Sequence, residues 1–320
     1  MEMKSFELQD VLQRSIATRI WNEACGSDLA IGERFMAYNT RSNSHVTQSG
    51  QLAMWDGQPV GFVLASAVTS GWLAANPPEG HIDAIAVLPN ARKKGVGTAL
   101  LAWAEEWLRS LNCASCRLGA SQRPFVPGVP SELGSAAFFL QRGYVPSAGY
   151  ERTWDMAHDL REYVTPSSGM KASGVVARPA QPGDEPAMLS FLQREFHGGW
   201  QYDAEALLAE GLRLSDYVLL WSERGVDGCC LVTFEDSYRP LDRFYMQRLP
   251  HPWGQLGAIG VSADRRGLGY GGALLDGGLR HLRDGGVRGC IIDWLVLVDF
   301  YAKFGFKTFR QYEMISKLLQ

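Results

Sequence analysis

Residues 264–272 read DRRGLGYGG and place a cluster of glycines directly behind two arginines. Glycine-rich turns with basic side chains are typical of phosphate-binding loops, because small residues let backbone N–H groups approach the phosphate oxygens. Gly267, Gly269 and Gly272 also satisfy the pattern G-x-G-x-x-G, which between a strand and a helix predicts a nicotinamide or flavin dinucleotide. The loop therefore predicts a phosphate-bearing ligand and leaves its identity open.

The elements that must position this loop occur twice. The segment HIDAIAVLPNARKKGVGTALLAWAEEWL (81–108) aligns without a gap with QLGAIGVSADRRGLGYGGALLDGGLRHL (255–282). Each copy predicts a strand, a polar turn, a glycine-rich loop and an amphipathic helix. The first copy breaks G-x-G-x-x-G, and both copies share Arg-x-x-Gly-x-Gly instead. That shared pattern consists of Arg92, Gly95 and Gly97 in the first copy and Arg266, Gly269 and Gly271 in the second.

A second repeated segment follows each loop. AFFLQRGY (137–144) matches DFYAKFGF (299–306), and each has an aromatic pair on a short predicted helix, followed by Gly and another aromatic residue. A strand–turn–strand pattern precedes each loop, and Asp56-Gly57 is the hairpin signal in the first. Each half therefore predicts helices, antiparallel strands, a strand–loop–helix unit, and a further strand, helix and strand.

The two halves predict two domains. A stretch rich in Ser and Gly at 162–174 separates them, and a new strand follows, with a helix capped at Asp184 and carrying Pro186 in its first turn. We place the domains at 1–165 and 170–320, with the boundary near residue 170. The fold class is α/β with a mixed (α+β) sheet in each domain.

The repeated motifs resemble a known family. The Arg-x-x-Gly-x-Gly loop, its preceding strand and its following "ALL" helix resemble motif A of the GCN5-related N-acetyltransferases (GNAT), and the aromatic–glycine segments resemble motif B. The tandem arrangement is similar to the mycothiol-synthase type within that superfamily. The resemblance implies acetyl-CoA as co-substrate, an amine of a small molecule or peptide as acceptor, and direct attack in a ternary complex.

The resemblance also implies which residues contact acetyl-CoA. In the C-terminal half they are Ile259, Val261, Arg266, Gly267, Leu268, Gly269, Tyr270, Gly271 and Gly272. In the N-terminal half they are Val87, Arg92, Lys93, Lys94, Gly95, Val96, Gly97 and Thr98. The backbone N–H groups near Val261 and Val87 are expected to polarise the thioester carbonyl.

The halves differ at the expected general acid. Motif B usually supplies a tyrosine at the second aromatic position, which is Tyr301 in the C-terminal half and Phe139 in the N-terminal half. A phenylalanine has no proton to donate to the departing CoA thiolate. We therefore expect the C-terminal domain to be catalytic and the N-terminal domain to be non-catalytic, while a core-packing role for Tyr301 remains the alternative.

The general base is less specific in the sequence. Asp293 interrupts an apolar strand, where burial between Ile292 and Trp294 should raise its pKa and suit it as a base. A buried Asp that binds backbone amides is the equal alternative, and Glu235-Asp236 is another acidic candidate. His81 and Asp83 lie on the equivalent N-terminal strand without a shared role, and the other histidines have no metal-ligand spacing, so no metal site is expected.

Composition excludes several classes. A net charge of −3 gives no basic excess for nucleic acid, and the N-terminus has no signal-peptide pattern. No apolar run reaches membrane-spanning length, and the six cysteines form no framework. We expect a cytoplasmic protein without membrane or nucleic-acid partners, monomeric or homodimeric. The aromatic residues Trp200, Tyr202 and Trp253 either shape the acceptor pocket or pack in the core.

Two rival functions stay open. The first is a non-catalytic CoA-binding or CoA-sensing protein in which both halves bind and neither transfers an acetyl group. The second is a dinucleotide-dependent oxidoreductase that uses the G-x-G-x-x-G match.

Overall fold

The computed structural model describes residues 1–123, 125–166, 172–243 and 248–319. The expected boundary near residue 170 lies outside these residues. The elements of the first part are β1 (Glu2–Ser5), α1 (Val11–Cys25), α2 (Glu33–Asn39), β2 (Val46–Trp55), β3 (Gln58–Val68), β4 (Glu79–Val87), α3 (Val96–Ser110), β5 (Ser115–Leu118), β6 (Val129–Pro130), α4 (Ala136–Leu140) and β7 (Val145–Pro146). The remaining elements are β8 (Arg152–Asp159), β9 (Val176–Pro179), α5 (Glu185–Glu195), α6 (Gly199–Ala209), β10 (Tyr217–Ser222), β11 (Gly225–Phe234), β12 (Trp253–Val261), α7 (Tyr270–Asp284), β13 (Gly289–Leu295), α8 (Val298–Ala302), β14 (Lys307–Glu313) and β15 (Ile315–Leu318).

The chain forms two compact units. The first contains Met1–Thr153 with Asp242–Arg248 and Arg310–Gln320, and the second contains Trp154–Leu241 with Leu249–Phe309. Each unit has a mixed sheet with helices, so the predicted fold class is confirmed. The units differ from the predicted ranges 1–165 and 170–320, because segments near each end of the halves join the other unit's fold.

The sheet of the first unit has the order β1-β2-β3-β4-β5-β15-β7. β4 and β5 pair in parallel, and the other neighbours are antiparallel. The hairpin between β2 and β3 turns at Asp56 (φ 49°) and Gly57 (φ 75°), which confirms the predicted turn. Helix α3 buries Leu100, Leu101 and Leu108 against this sheet.

The last strand of the chain completes this first sheet. β15 lies between β5 and β7, with Ser316 opposite Arg117 and Lys317 opposite Cys116. The Nζ atom of Lys317 lies 2.9 Å from a carboxylate oxygen of the buried Glu105 on α3. The edge of β5 is therefore covered by a strand encoded two hundred residues away, which the sequence pattern did not reveal.

The sheet of the second unit runs from β14 through β8-β13-β12-β11-β10-β9. β12 and β13 pair in parallel, whereas β12–β11, β11–β10, β10–β9 and β13–β8 are antiparallel. A dinucleotide-binding fold has a mostly parallel sheet, so this topology does not support the oxidoreductase alternative. Leu274, Leu275 and Leu279 of α7 are buried in the core on this sheet.

Helix α5 begins at Glu185 as predicted, with Asp184 as N-cap and Pro186 in its first turn. The Asp184 carboxylate accepts from the amide of Gln181 (2.7 Å) and from Arg178 (2.6 Å), and so it binds the preceding turn instead of the helix amides. The described residues contain no helix long and apolar enough to span a bilayer. All six cysteines are free thiols, and five of them are buried.

Candidate functional site

The candidate site begins where two parallel strands separate. β12 and β13 pair at Trp253–Gly289, Gly254–Cys290 and Gln255–Ile291. Within the described stretch 248–319 they have no pairing beyond these positions, although both strands continue. A bulge in β12 opposite Cys229–Leu231, with Ala258 at φ 45°, coincides with the separation. The wedge between the strands exposes backbone polar groups that a regular sheet would use.

One backbone amide points into this wedge. The N–H of Ser262 donates to the carbonyl of Asp227 on β11 (2.9 Å). Successive amides of an extended strand point to opposite edges, so the N–H of Val261 faces the side from which β13 has diverged. In the first unit, Leu88 donates to Val60 (2.8 Å) in the same way and leaves Val87 equivalent. Each half thus has one backbone amide that faces the gap between its two diverging parallel strands.

The glycine-rich loop leads directly into α7. Gly269 is the N-cap at φ 86°, and no side chain caps the helix, so the first-turn amides remain available. Arg266 is exposed, and its guanidinium makes no hydrogen bond or ion pair with any described residue. Leu268 is 52% exposed beside it. Free amides at a helix N-terminus and an exposed arginine suit a phosphate-bearing ligand.

Gly267 has a conformational role that the repeat comparison concealed. Its φ is 79°, and the equivalent residue in the first unit, Lys93, has a φ of 60°. Both copies therefore use the left-handed conformation at this position, although only one uses glycine. The left-handed position at Gly267 and Lys93 is therefore a further shared feature of the loop, beside the arginine and the two glycines.

The second glycine of each loop faces an aromatic ring. A Cβ on Gly271 would lie 3.6 Å from the ring of Phe300, which is an ordinary contact distance, and a Cβ on Gly97 would lie 3.3 Å from the ring of Phe138, which is tighter. The first aromatic residue of each motif-B segment therefore packs on the second glycine of its own loop.

A network of ion pairs and hydrogen bonds supports the start of the C-terminal glycine-rich loop. Asp227, whose side chain is fully buried, accepts from Ser222 Oγ (2.6 Å), Ser262 Oγ (2.8 Å) and Arg224 Nε (2.8 Å). Arg224 also forms two 2.7 Å bonds to Asp264. Burial alone would raise the pKa of Asp227, but these hydrogen bonds hold it well below its ordinary value. The network fixes the end of β12 and the start of the loop.

Tyr301 lies on α8 with only 6% of its surface exposed. Burial, with smaller contributions from Cys230 and Asp293, raises the pKa of its hydroxyl to about 12. Among the described residues the hydroxyl has no hydrogen-bonding partner. Phe139 is equally buried and packs edge-on against Phe138 and Tyr144, with ring centroids 5.0 and 5.8 Å away. Tyr301 thus has a protonated hydroxyl with no hydrogen-bonding partner among the described residues, whereas Phe139 has no hydroxyl.

Asp293 lies on β13 and faces β12. Its Oδ1 is 3.8 Å from the position that a Cβ on Gly257 would take, and its charge reaches Tyr301. The side chain is half-buried, between the buried Ile292 and the exposed Trp294, so the full burial expected from the sequence is not observed. The structure therefore brings Asp293, Tyr301 and the wedge of β12 together.

The other acidic candidates are committed elsewhere. Glu235 accepts from the amide of Trp253 (2.8 Å) and pairs with His251 (2.9 Å), while Asp236 pairs with Arg213 (2.8 Å). In the first unit, Asp83 is buried and accepts from Ser66 and Gln48, both at 2.7 Å. Burial raises the pKa of Asp83. His81 contacts the carbonyl of Gly119 through Nδ1 (2.9 Å).

The aromatic residues near α6 have different roles. Tyr202 is buried in the core, and the indole of Trp253 donates to the carbonyl of Leu249 (3.1 Å). Trp200 is 37% exposed and stacks 4.7 Å from Phe196. The Phe196 ring covers Gly260, where a Cβ would lie only 2.2 Å away. The rings of Phe196 and Trp200 form an aromatic surface, the Phe196–Trp200 shelf, beside Gly260, the residue that precedes Val261. Phe196 could not be recognised from the sequence, because an isolated aromatic residue carries no pattern.

In the first unit, the basic side chains at the glycine-rich loop make more contacts within the protein than their counterparts in the second unit. Arg92 donates to the carbonyls of Ala24 (2.7 Å) and Val87 (3.2 Å). Arg142 donates to Thr98 Oγ1 (2.9 Å) in the first turn of α3 and stacks on Phe138 at 3.8 Å. Lys94 lies over Trp55. The equivalent groups in the second unit are the free Arg266 and the side-chain-free Gly272.

Comparison with known proteins agrees with this architecture. The sequence model of the acetyltransferase (GNAT) family matches residues 14–124 and 186–306. A mycothiol acetyltransferase of Geodermatophilus obscurus is 29% identical over 288 residues, which cover 82% of this chain and 84% of that protein.

Solved structures show the same fold. A GCN5-related glucosamine N-acetyltransferase region of a fungal multi-domain GH3 β-N-acetylglucosaminidase superimposes with a TM-score of 0.86 at 24% identity, and covers 98% of this chain. This chain spans 38% of that longer one. A tandem GNAT protein from the clavulanic acid biosynthesis pathway gives a TM-score of 0.71 at 16% identity and covers 100% of this chain. With a family match in each half and a tandem fold throughout, the chain belongs to the acetyltransferase (GNAT) family.

Proposed function

We propose that this protein is an acetyl-CoA-dependent N-acetyltransferase whose C-terminal half is catalytic and whose N-terminal half is not. The proposal is supported chiefly by Asp293, which faces β12 where β12 and β13 separate and whose charge acts on Tyr301. The amide of Val261 faces the same gap between the strands. The N-terminal half repeats the wedge but has Phe139 in place of the tyrosine.

The C-terminal loop supplies the co-substrate site. The first-turn amides of α7 and the free guanidinium of Arg266 bind the pyrophosphate, and the thioester enters the wedge. The N–H of Val261 donates to the thioester oxygen, which becomes negative as the amine attacks.

Transfer then needs two proton movements. The acceptor nitrogen attacks the carbonyl carbon directly, and Asp293 takes the proton that the amine loses. The C–S bond breaks as the tetrahedral intermediate collapses, and the hydroxyl of Tyr301 donates to the departing sulfur. The products are an acetamide and free CoA, with no acyl-enzyme.

A small primary amine is the acceptor, and amino sugars are the first class to test. The relatives' names include mycothiol acetyltransferase and a glucosamine N-acetyltransferase region. The Phe196–Trp200 shelf offers an aromatic face beside the wedge, and such faces suit the C–H face of a sugar ring.

Ligand stabilisation and turnover test the proposal together. Acetyl-CoA should raise the melting temperature, and Arg266→Ala should remove most of that shift. Release of free CoA with glucosamine, cysteinyl amines, polyamines and peptide N-termini, followed by mass detection of the acetylated product, identifies the acceptor. Stabilisation by NAD(H) but not by acetyl-CoA would overturn the proposal.

A further inference from the structure

We propose that Asp155, which lies outside the C-terminal repeat in sequence, is the positioning residue that holds Asp293 in the wedge. This inference rests on the proposed function, since Asp293 is the base in that function. Asp155 belongs to β8, the strand that follows the N-terminal repeat and pairs with β13 in the second unit.

The pairing of β8 with β13 is interrupted at the candidate base. The strands are in regular register from Gly289–Asp159 through Ile292–Met156, and they pair again at Leu295–Trp154. Two residues of β13, Asp293 and Trp294, are therefore opposite the single residue Asp155. This is a β-bulge, and bulges of this kind change the direction of the side chains they contain.

Asp155 supplies the bond that the bulge removes. Its side chain is in a residue only 3% exposed, and its Oδ1 accepts from the backbone N–H of Trp294 at 3.2 Å. Trp294 has a φ of 52°, a conformation that a bulky residue rarely adopts without support. A buried amide that loses its ladder partner needs another acceptor, and the carboxylate of Asp155 provides one.

The bulge decides where Asp293 points. In a regular strand, successive side chains point to opposite faces of the sheet. Without the extra residue in β13, the side chain of either Asp293 or Trp294 would point to the opposite face. With the bulge in place, the Asp293 carboxylate is directed at Gly257 on β12 and its charge reaches Tyr301. Asp155 therefore acts on the chemistry through backbone geometry and does not touch the reacting atoms.

Two substitutions separate this role from general stability. Asp155→Asn retains an oxygen acceptor for the Trp294 amide, whereas Asp155→Ala removes it. Asp276→Ala is a matched control. Asp276 lies in the middle of α7, is 1% exposed, and accepts hydrogen bonds from the hydroxyls of Tyr163 (2.7 Å) and Thr165 (2.6 Å). Both alanine variants should lower the melting temperature, but only Asp155→Ala should affect Asp293.

The deciding measurement does not depend on turnover. In the full-length protein with selectively ¹³C-labelled aspartate, Asp155→Ala should displace the carboxyl titration of Asp293 and accelerate hydrogen exchange at the Trp294 amide by at least about tenfold. Asp276→Ala should leave both close to wild type. Asp155→Asn removes the same charge as Asp155→Ala but keeps the acceptor, so it should keep the Trp294 exchange close to wild type and give an Asp293 titration different from that of Asp155→Ala. Equal Asp293 titrations and equal Trp294 exchange in folded Asp155→Ala and Asp155→Asn overturn the inference.

Kinetics with glucosamine as the acceptor probe then link the geometry to catalysis. Asp155→Ala should lower kcat roughly 10- to 100-fold with an unchanged KM for acetyl-CoA, and it should add no further loss in an Asp293→Asn background. Additive losses would show that Asp155 acts independently of Asp293 and would overturn the inference. A wild-type protein that transfers no acetyl group refutes the proposed function alone, because the titration and exchange measurements still decide the role of Asp155.

Discussion

Removing the hydroxyl of Tyr301 should slow acetyl transfer without altering the fold. In Tyr301→Phe the ring keeps its contacts with Phe300 and Phe306, whose centroids lie 5.0 and 6.4 Å away. The hydroxyl has no hydrogen-bonding partner among the described residues, so no protein–protein hydrogen bond is lost. We expect the melting temperature to stay close to wild type.

The size of the catalytic loss follows from the hydrogen bond that Tyr301 gives to the leaving sulfur. Burial raises the pKa of Tyr301 to about 12, so the hydroxyl is protonated throughout the neutral range and can donate. It donates a hydrogen bond to the sulfur as the C–S bond lengthens, and the proton follows as the thiolate leaves. A hydrogen bond to a charged group contributes about 1.5–3 kcal/mol, which corresponds to a kcat loss of roughly 10- to 150-fold.

The assay measures release of free CoA with a thiol reagent at saturating acetyl-CoA, over a range of acceptor concentrations. Because the pKa of Tyr301 lies far above neutrality, the loss in Tyr301→Phe should be the same from about pH 6 to pH 9. Tyr144→Phe removes a buried hydroxyl from the N-terminal half, where it lies 3.5 Å from Cys116 Sγ, and serves as the control.

Two results would refute this reasoning. An unchanged kcat in Tyr301→Phe would remove the hydroxyl from the mechanism, and an equal loss in Tyr144→Phe would show that any buried hydroxyl has the same effect. A loss that appears only in the KM for acetyl-CoA would assign Tyr301 to binding instead.

Three further predictions concern the loop and its support. Asp227→Asn should lower the free energy of unfolding by roughly 2–4 kcal/mol at pH 7, measured by urea unfolding. Because the folded pKa of Asp227 is depressed, this stability is fully present above the unfolded pKa of about 3.9 and is lost as the pH falls below it. Wild type and variant should therefore converge in acid, and a constant difference would contradict the assignment. Gly267→Ala should destabilise by about 1–2 kcal/mol and Lys93→Gly should not, because both positions have positive φ; equal effects would contradict the shared loop conformation. Arg266→Ala should weaken acetyl-CoA binding in calorimetric titration more than Arg92→Ala, because Arg92 already donates to two carbonyls; the reverse order would assign the tighter site to the N-terminal half.

Local features were predictable from the sequence because their causes are local. Three such features are the Asp56-Gly57 turn, the start of α5 at Glu185 after Asp184, and the glycine loop before each motif-A helix. They follow from positive φ, proline geometry and hydrophobic period. The internal repeat added what a single motif could not, since two weak patterns in the same order predicted the fold of each half.

The strand exchange, in which β8 joins the sheet of the second unit and β15 joins the sheet of the first, could not be predicted in this way. β8 and β15 have the alternation of ordinary strands, and nothing in their residues specifies which sheet they join. The choice depends on tertiary contacts such as the pair between Lys317 and Glu105. For the same reason Asp155 had no signal, because a bulge forms only when a particular partner strand is present.

The strand exchange makes the fold of each unit depend on residues from the other half of the sequence. β8 lies within the second unit and carries Asp155 to β13, while β15 lies within the first unit and covers β5. Cutting the chain at the expected boundary near residue 170 would therefore leave β13 without its antiparallel partner and β5 without β15. Phenylalanine at position 139 supplies no proton donor and costs the N-terminal half no packing, since its ring is buried between two aromatic rings. The strands that each half contributes to the other unit therefore make the folding of the two halves interdependent, whichever half transfers the acetyl group.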